Sequence, residues 1–369
     1  MKRRVGMCPG PFGGDEWSRN RHPFMQLQFE ALADQGWEIV PITSAEIRQP
    51  ERLRQYNLNV LHLHWPSMVF YFAGNKLYRL PWIGQLLVPR DKSKVNAWAQ
   101  AMRACETRLI WQIHDLVSHN EVNAGPVATV DELLCRKVYE RAQAIVVHER
   151  SCLKPVFEFY GSEKPFAIAP LGDYTRVHGD PRPRGEAQAR LGVSSPSGKI
   201  LAYVGTARRN RNPRQVVQAF SRVAGADDRL IIAGQAVGRF VRPGRDPRIL
   251  VFDGMLPNEL VRDILCASHF VINHAQRYLT SAVVRAAMSY GTPVIAYPFG
   301  STLDMAQDAA VLIGGEANAL EQALGRALQM GDEEHHRMTA AALQRNRERK
   351  WQDSSAACVE LYSRVIEAA

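Results

Sequence analysis

A chain of 369 residues with 46% apolar and 22% charged side chains is long enough for two hydrophobic cores and ordinary in composition for a globular protein. Its net charge of +9 favours an anionic partner, whether nucleic acid, an anionic membrane surface or a phosphorylated small molecule. No repeat, low-complexity tract, membrane-length apolar run or secretory leader is read in it, so the expectation is a cytoplasmic protein, peripheral at most to the inner face of the plasma membrane.

Strand-like apolar runs alternate with helix-length amphipathic stretches from end to end, the pattern of parallel α/β sheets. In the first half, strands are expected at 4–8, 38–41, 60–64, 108–113, 144–148 and 166–169, with a helix over 23–36. The loop PGPFGGDEW follows the first strand. Gly13 and Gly14 let its backbone approach a ligand closely, and Asp15 is its first carboxylate; an ordinary strand-to-helix turn reads the same way. In LHLHWP, His62 and His64 are expected to face opposite sides of their strand, and so to be no metal pair. Segment 65–94 interleaves aromatic and aliphatic residues with Lys76, Arg79, Arg90, Lys92 and Lys94. It suits either the interface of an anionic membrane or a packed helix pair. The strand before His114 and Asp115 stops where a ligand would lie. His114 there is either a satisfied structural histidine, a donor to a sugar hydroxyl or phosphate, or a general base.

Residues 173–198, rich in Pro, Gly and Arg, read as a linker and entry to a second series of strands at 200–204, 229–233, 249–252, 270–273, 292–296 and 310–313. After the first of these, Gly205 is followed by Arg208, Arg209 and Arg211 and then a helix opening near Pro213. Guanidinium groups beside a helix N-terminus suit a diphosphate, and a solvated basic loop is the plainer reading. Further on, Thr280 and Ser281 cap a helix ending near Gly291, a second element with free N–H groups for an anion. The last segment, 354–369, is an amphipathic helix expected to pack back toward the N-terminal domain. The six cysteines are scattered, with no Cys-x-x-Cys pair, and read as reduced and mostly buried.

Taken together, VGTARRNRN, LIIAG, DGMLPNELVRDILCASHFVIN and LTSAVVRAAMSYGTPVIA, over about 198–320, resemble the donor domain of family-four-type glycosyltransferases. In the first half, VLHLHWP, IHDLVSHN and IAPLGDY resemble phrases of a bacterial exopolysaccharide subgroup that includes GumI-like mannosyltransferases. The resemblance implies the GT-B architecture: an acceptor-binding Rossmann-like domain over 1–172, a donor-binding one over 173–353, and the two facing across a cleft. It implies that Gly205, Arg208 and Arg211 stand where such enzymes carry Gly-x-x-Arg-x-x-Lys for the donor diphosphate. Tyr278 and Ala286 stand where many of them carry a Glu-x7-Glu pair, and Thr280–Ser281–Ala282 approximates the Thr-Ser-Gly phrase of the exopolysaccharide subgroup.

The expected reaction moves a hexosyl group, mannose by the GumI-like phrases, from GDP-mannose or a UDP-sugar to a lipid-linked or saccharide acceptor. Donor contacts are expected at Gly13, Gly14, Gly205, Arg208, Arg211, Tyr278, Thr280 and Ser281, with His114 or Asp15 as the catalytic group. No metal cofactor is expected, because arginines supply the positive charge, and no nucleic-acid motif is present. A GT-B-type sugar-nucleotide epimerase and a non-catalytic sugar-nucleotide-binding subunit are the alternatives.

Overall fold

The computed structural model describes residues 3–10, 23–117, 125–193, 197–208, 211–275 and 278–368. They form two compact units, Met1–Pro170 with Trp351–Ala369, and Leu171–Lys350.

In the first unit, β1 (Arg4–Cys8), β2 (Glu38–Pro41), β3 (Val60–Leu63), β4 (Arg108–Gln112), β5 (Ala144–Val147) and β6 (Phe166–Ile168) form one parallel sheet in the order β2-β1-β3-β4-β5-β6. Every residue of β3 and β5 is buried, as expected of strands covered on both faces by helices. The longer helices ahead of the C-terminal one are α1 (Pro23–Asp34), α2 (Pro81–Ala104), α3 (Pro126–Arg141) and α4 (Leu153–Tyr160). α2 and α3 open with proline, whose missing N–H costs nothing in a first turn. The C-terminal helix, Trp351–Glu367, buries Trp351, Cys358, Leu361, Tyr362 and Val365 and packs on α1.

In the second unit, β7 (Ile200–Val204), β8 (Arg229–Gly234), β9 (Ile249–Asp253), β10 (Phe270–Asn273), β11 (Val294–Ala296) and β12 (Ala310–Leu312) are again all parallel, in the order β12-β11-β10-β7-β8-β9. Around them run α5 (Arg184–Leu191), α6 (Pro213–Val223), α7 (Asn258–Ala267), α8 (Ala282–Ser289), α9 (Ala319–Gln329) and α10 (Asp332–Arg347). The core between sheet and helices includes Leu201, Val216, Phe220, Ile232, Phe270 and Leu324. Strand order reverses between β7 and β10, and in open parallel sheets ligands bind beyond the carboxyl ends of the strands at that point.

Two expectations are corrected. The segment read as linker contains α5, which packs on α7 through a hydrogen bond from Arg190 Nε to Asp263 Oδ2 at 2.8 Å and one from Gln188 Nε2 to the Ala267 carbonyl at 3.2 Å. Its GEAQARL run is a good helix former, and the surrounding proline and glycine only bound it. His62 and His64 do not face opposite ways. Their rings stack at 4.6 Å with an 8° tilt, because residues two apart on a strand share a face. No helix among the described residues is long and apolar enough to cross a membrane.

Candidate functional site

In the second unit the site starts from a close approach of backbones. Gly205 follows β7 at φ +127 and Gly234 ends β8 at φ +137, a region that L side chains rarely adopt. A Cβ on Gly234 would sit 2.1 Å from the Gly205 carbonyl oxygen, so neither side chain nor strand spacing has room to give. A Cβ on Gly205 would lie 3.6 Å from both Arg211 Nη1 and Val283 Cγ2. The Arg211 side chain and that of Val283 in the first turn of α8 therefore both lie over this glycine.

Ser281 is the N-cap of α8, and its Oγ accepts from the Val284 N–H at 3.3 Å. The other first-turn N–H groups have no partner within a helix, which leaves the positive end of the helix dipole at this spot. Burial pushes the Tyr203 hydroxyl up to about 12, opposed by the positive charges of Arg211 and then Arg208. Tyr203 Oη, Asn273 Nδ2 and Thr280 Oγ1 are buried polar atoms without a hydrogen-bond partner. Each such atom costs roughly 1–3 kcal/mol when unsatisfied. Beside them, His274 Nε2 lies 3.3 Å from the Tyr297 hydroxyl, and burial lowers the pKa of the ring. A pocket of about 620 Å³ opens over His274 and Tyr297, walled by Gln215 and Gln218 of α6 and by Glu316. That is inside the roughly 300–1,000 Å³ range of small-molecule sites.

α8 is held in place from behind. Arg285, fully buried, donates from Nε to the Gly172 carbonyl at 2.9 Å and from Nη2 to Asn346 Oδ1 at 2.6 Å, and burial lowers its pKa to about 10. Tyr278 is 3% exposed and its hydroxyl is hydrogen-bonded to Thr302. Ala286 lies in the second turn of α8, also buried.

In the first unit, His64 directly follows β3, His114 lies two residues beyond β4, and His148 directly follows β5. His64 Nδ1 is 3.1 Å from His114 Nε2, and His114 Nδ1 is 3.2 Å from His148 Nε2. His148 Nδ1 is 2.9 Å from the Ala169 carbonyl oxygen. Trp65 stacks on His114 at 4.5 Å, and the edge of Phe24 contacts all three imidazoles at 5.1–5.7 Å. Burial holds the pKa of His148 down to about 4 and that of His62, bonded to the Tyr362 hydroxyl, down to about 3. The set is no metal triad, because His114 turns a different nitrogen to each neighbour. Gly13, Gly14 and Asp15 lie outside the described residues.

All six cysteines are buried and free, and burial pushes up the thiols of Cys8, Cys135 and Cys358, so those three are not poised nucleophiles. Segment 65–94 divides its side chains. Val69, Phe72 and Tyr78 are buried, whereas Tyr71, Leu77, Leu80, Trp82 and Leu86 are exposed, the last two by 69% and 72%. Arg90 and Lys94 stand at the surface, both paired with the buried Asp91.

Sequence reasoning missed His64 and His148 as partners of His114, and Tyr203, Asn273, His274 and Tyr297 in the second unit. The available signal was their place at the carboxyl ends of parallel strands.

Residues 198–330 match the family model described as glycosyl transferases group 1. No curated protein matches the sequence significantly. The fold is similar to that of sucrose-phosphate synthase from Thermosynechococcus elongatus, at 16% identity and TM-score 0.70, covering 100% of both chains. It is similar to an α,α-trehalose-phosphate synthase from Burkholderia xenovorans solved with glucose-6-phosphate, at 13% identity and TM-score 0.61, covering 98% of this chain and 100% of that one. A glycosyltransferase from Rickettsia africae aligns at 11% identity and TM-score 0.65, over 100% of this chain and 99% of that one. The matched stretch makes residues 198–330 of the second unit similar to a glycosyltransferase domain, and the solved structures give the whole chain the GT-B fold.

Proposed function

We propose that the chain transfers a hexosyl group from a nucleoside-diphosphate sugar, binding the diphosphate between Arg208, Arg211 and the N-terminus of α8. The observation that carries this reading is that Arg211 Nη1 and Val283 of the first turn of α8 both lie close over Gly205. As the glycosidic bond to the diphosphate breaks, negative charge grows on the leaving oxygen. Preplaced guanidinium and N–H donors stabilise that charge without reorganising, typically by a few kcal/mol per donor. The pocket over His274 and Tyr297 offers further room on the same unit.

The mannosyl group, with GDP-mannose as donor, follows from the resemblance of the first half to exopolysaccharide enzymes. The acceptor, assigned to the first unit with His114 among its polar groups, is a saccharide carried on a lipid. Exposed Trp82, Leu86, Leu77, Leu80 and Tyr71 in one stretch with basic residues support a membrane-borne acceptor. Calorimetry with the double variant Arg208→Ala/Arg211→Ala tests the donor site. The donor Kd is expected to rise at least about tenfold, or roughly 1.4 kcal/mol. Unchanged affinity in a folded variant removes the diphosphate assignment. A thermal-shift series over UDP-, GDP- and TDP-sugars names the donor, since only a bound sugar nucleotide raises Tm.

A further inference from the structure

The three imidazoles after β3, β4 and β5 can be assigned proton by proton. A carbonyl oxygen has no hydrogen to give, so His148, 2.9 Å from the Ala169 oxygen, donates from Nδ1. A neutral His148 then carries its lone pair on Nε2, and His114, 3.2 Å away, donates to it from Nδ1. A neutral His114 carries its lone pair on Nε2, toward which His64 donates from Nδ1 at 3.1 Å. A second route reaches the same answer. Gln28 donates from Nε2 to Gln112 Oε1 at 2.9 Å, which turns the Gln112 amide nitrogen toward His148 Nε2 at 3.4 Å. That nitrogen is a donor, so His148 Nε2 must be an acceptor.

We infer that His148 is a positioning residue: with the Ala169 carbonyl and Gln112 it locks His114 in the Nδ1–H tautomer, leaving His114 Nε2 a hydrogen-bond acceptor. Phe24 packs edge-on against the His148 ring, Trp65 stacks on His114, and burial lowers the pKa of His148. The arrangement has the logic of a carboxylate behind a catalytic histidine, with a neutral imidazole and a backbone carbonyl doing the orienting. On the transferase reading above, on which this step rests, His114 takes the proton of an acceptor hydroxyl at Nε2, in place of the His64 N–H, as that oxygen bonds to the anomeric carbon and the diphosphate leaves with the electron pair of the broken glycosidic bond. It does not donate to a sugar or phosphate.

Long-range ¹H–¹⁵N correlation spectra of protein labelled with ¹⁵N-histidine, taken at pH 7.5, test this directly. The wild-type spectrum is expected to show the Nδ1–H tautomer at His64, His114 and His148. In His148→Ala, His114 is expected to turn to the Nε2–H form, with kcat down roughly tenfold or more and donor KM little changed. His148→Gln, whose Oε1 can accept from His114 Nδ1, keeps the tautomer and recovers most of kcat. An Nε2–H tautomer at His114 in the wild type, or a His114 signal unmoved by His148→Ala, overturns the inference. Should His148→Ala fail to fold, the wild-type spectrum and His148→Gln decide. If the tautomers are as expected but no sugar nucleotide is turned over, the lock stands and the transferase reading falls.

Discussion

At His62, His148 and His269, burial works against charge, holding pKa values to about 3, about 4 and about 3. The unfolded chain titrates these groups near 6.5. Above that pH they are neutral in both states and stability is full. As pH falls from 6.5 toward the folded values only the unfolded chain takes up protons, and stability is lost by roughly 1.4 kcal/mol per pH unit for each histidine. Urea unfolding between pH 7 and 5 should therefore show a steep decline, less steep in His62→Gln; a flat profile would mean these rings are not buried neutral. That the strand ends carry histidines is legible in LHLHWP and WQIHDL. Their contacts are not, because they join residues 34 and 50 positions apart that only the parallel sheet order brings together.

Among the elements, α8 matters most to the donor reading, and its capping residue separates stability from binding. Ser281→Ala removes the bond to the Val284 N–H and should lower stability by about 1 kcal/mol. Ser281→Asp restores a good cap and suits the helix dipole, yet sets a carboxylate where the diphosphate would lie. Donor affinity should then drop at least about tenfold while urea unfolding stays near wild type. Equal donor affinity for Ser281→Asp would show that this helix end takes no anion. The cap and the strand–loop–helix order were readable from residue types alone. The helix α5 was not, because proline and glycine on either side outweigh a short helical run until Asp263 of α7 is seen to anchor it.

For the whole molecule, the net charge of +9 and the exposed apolar side chains of 71–86 make a joint prediction. The protein should float with anionic vesicles at low salt, less well at high salt, and poorly with neutral vesicles. Trp82→Ala/Leu86→Ser should cut flotation at least about tenfold, since each side chain contributes roughly 1.5–3 kcal/mol when it leaves water. Failure of the wild type to float on anionic vesicles at low salt would leave 65–94 as plain surface of the first unit, and the lipid-linked acceptor would lose its support.

Alternating apolar runs, glycine at strand ends and a serine before a helix are local signals, so the α/β class, the twelve strands of the described residues and the cap of α8 could be read from residues alone. Strand order is a property of the folded sheet. It decided that Gly205 lies under both Arg211 and α8, that three histidines meet in a row, and that Tyr278 spends its hydroxyl on Thr302. Spacing along a chain constrains neighbours three or four residues away, and contacts between distant strands exist only once the sheet has formed.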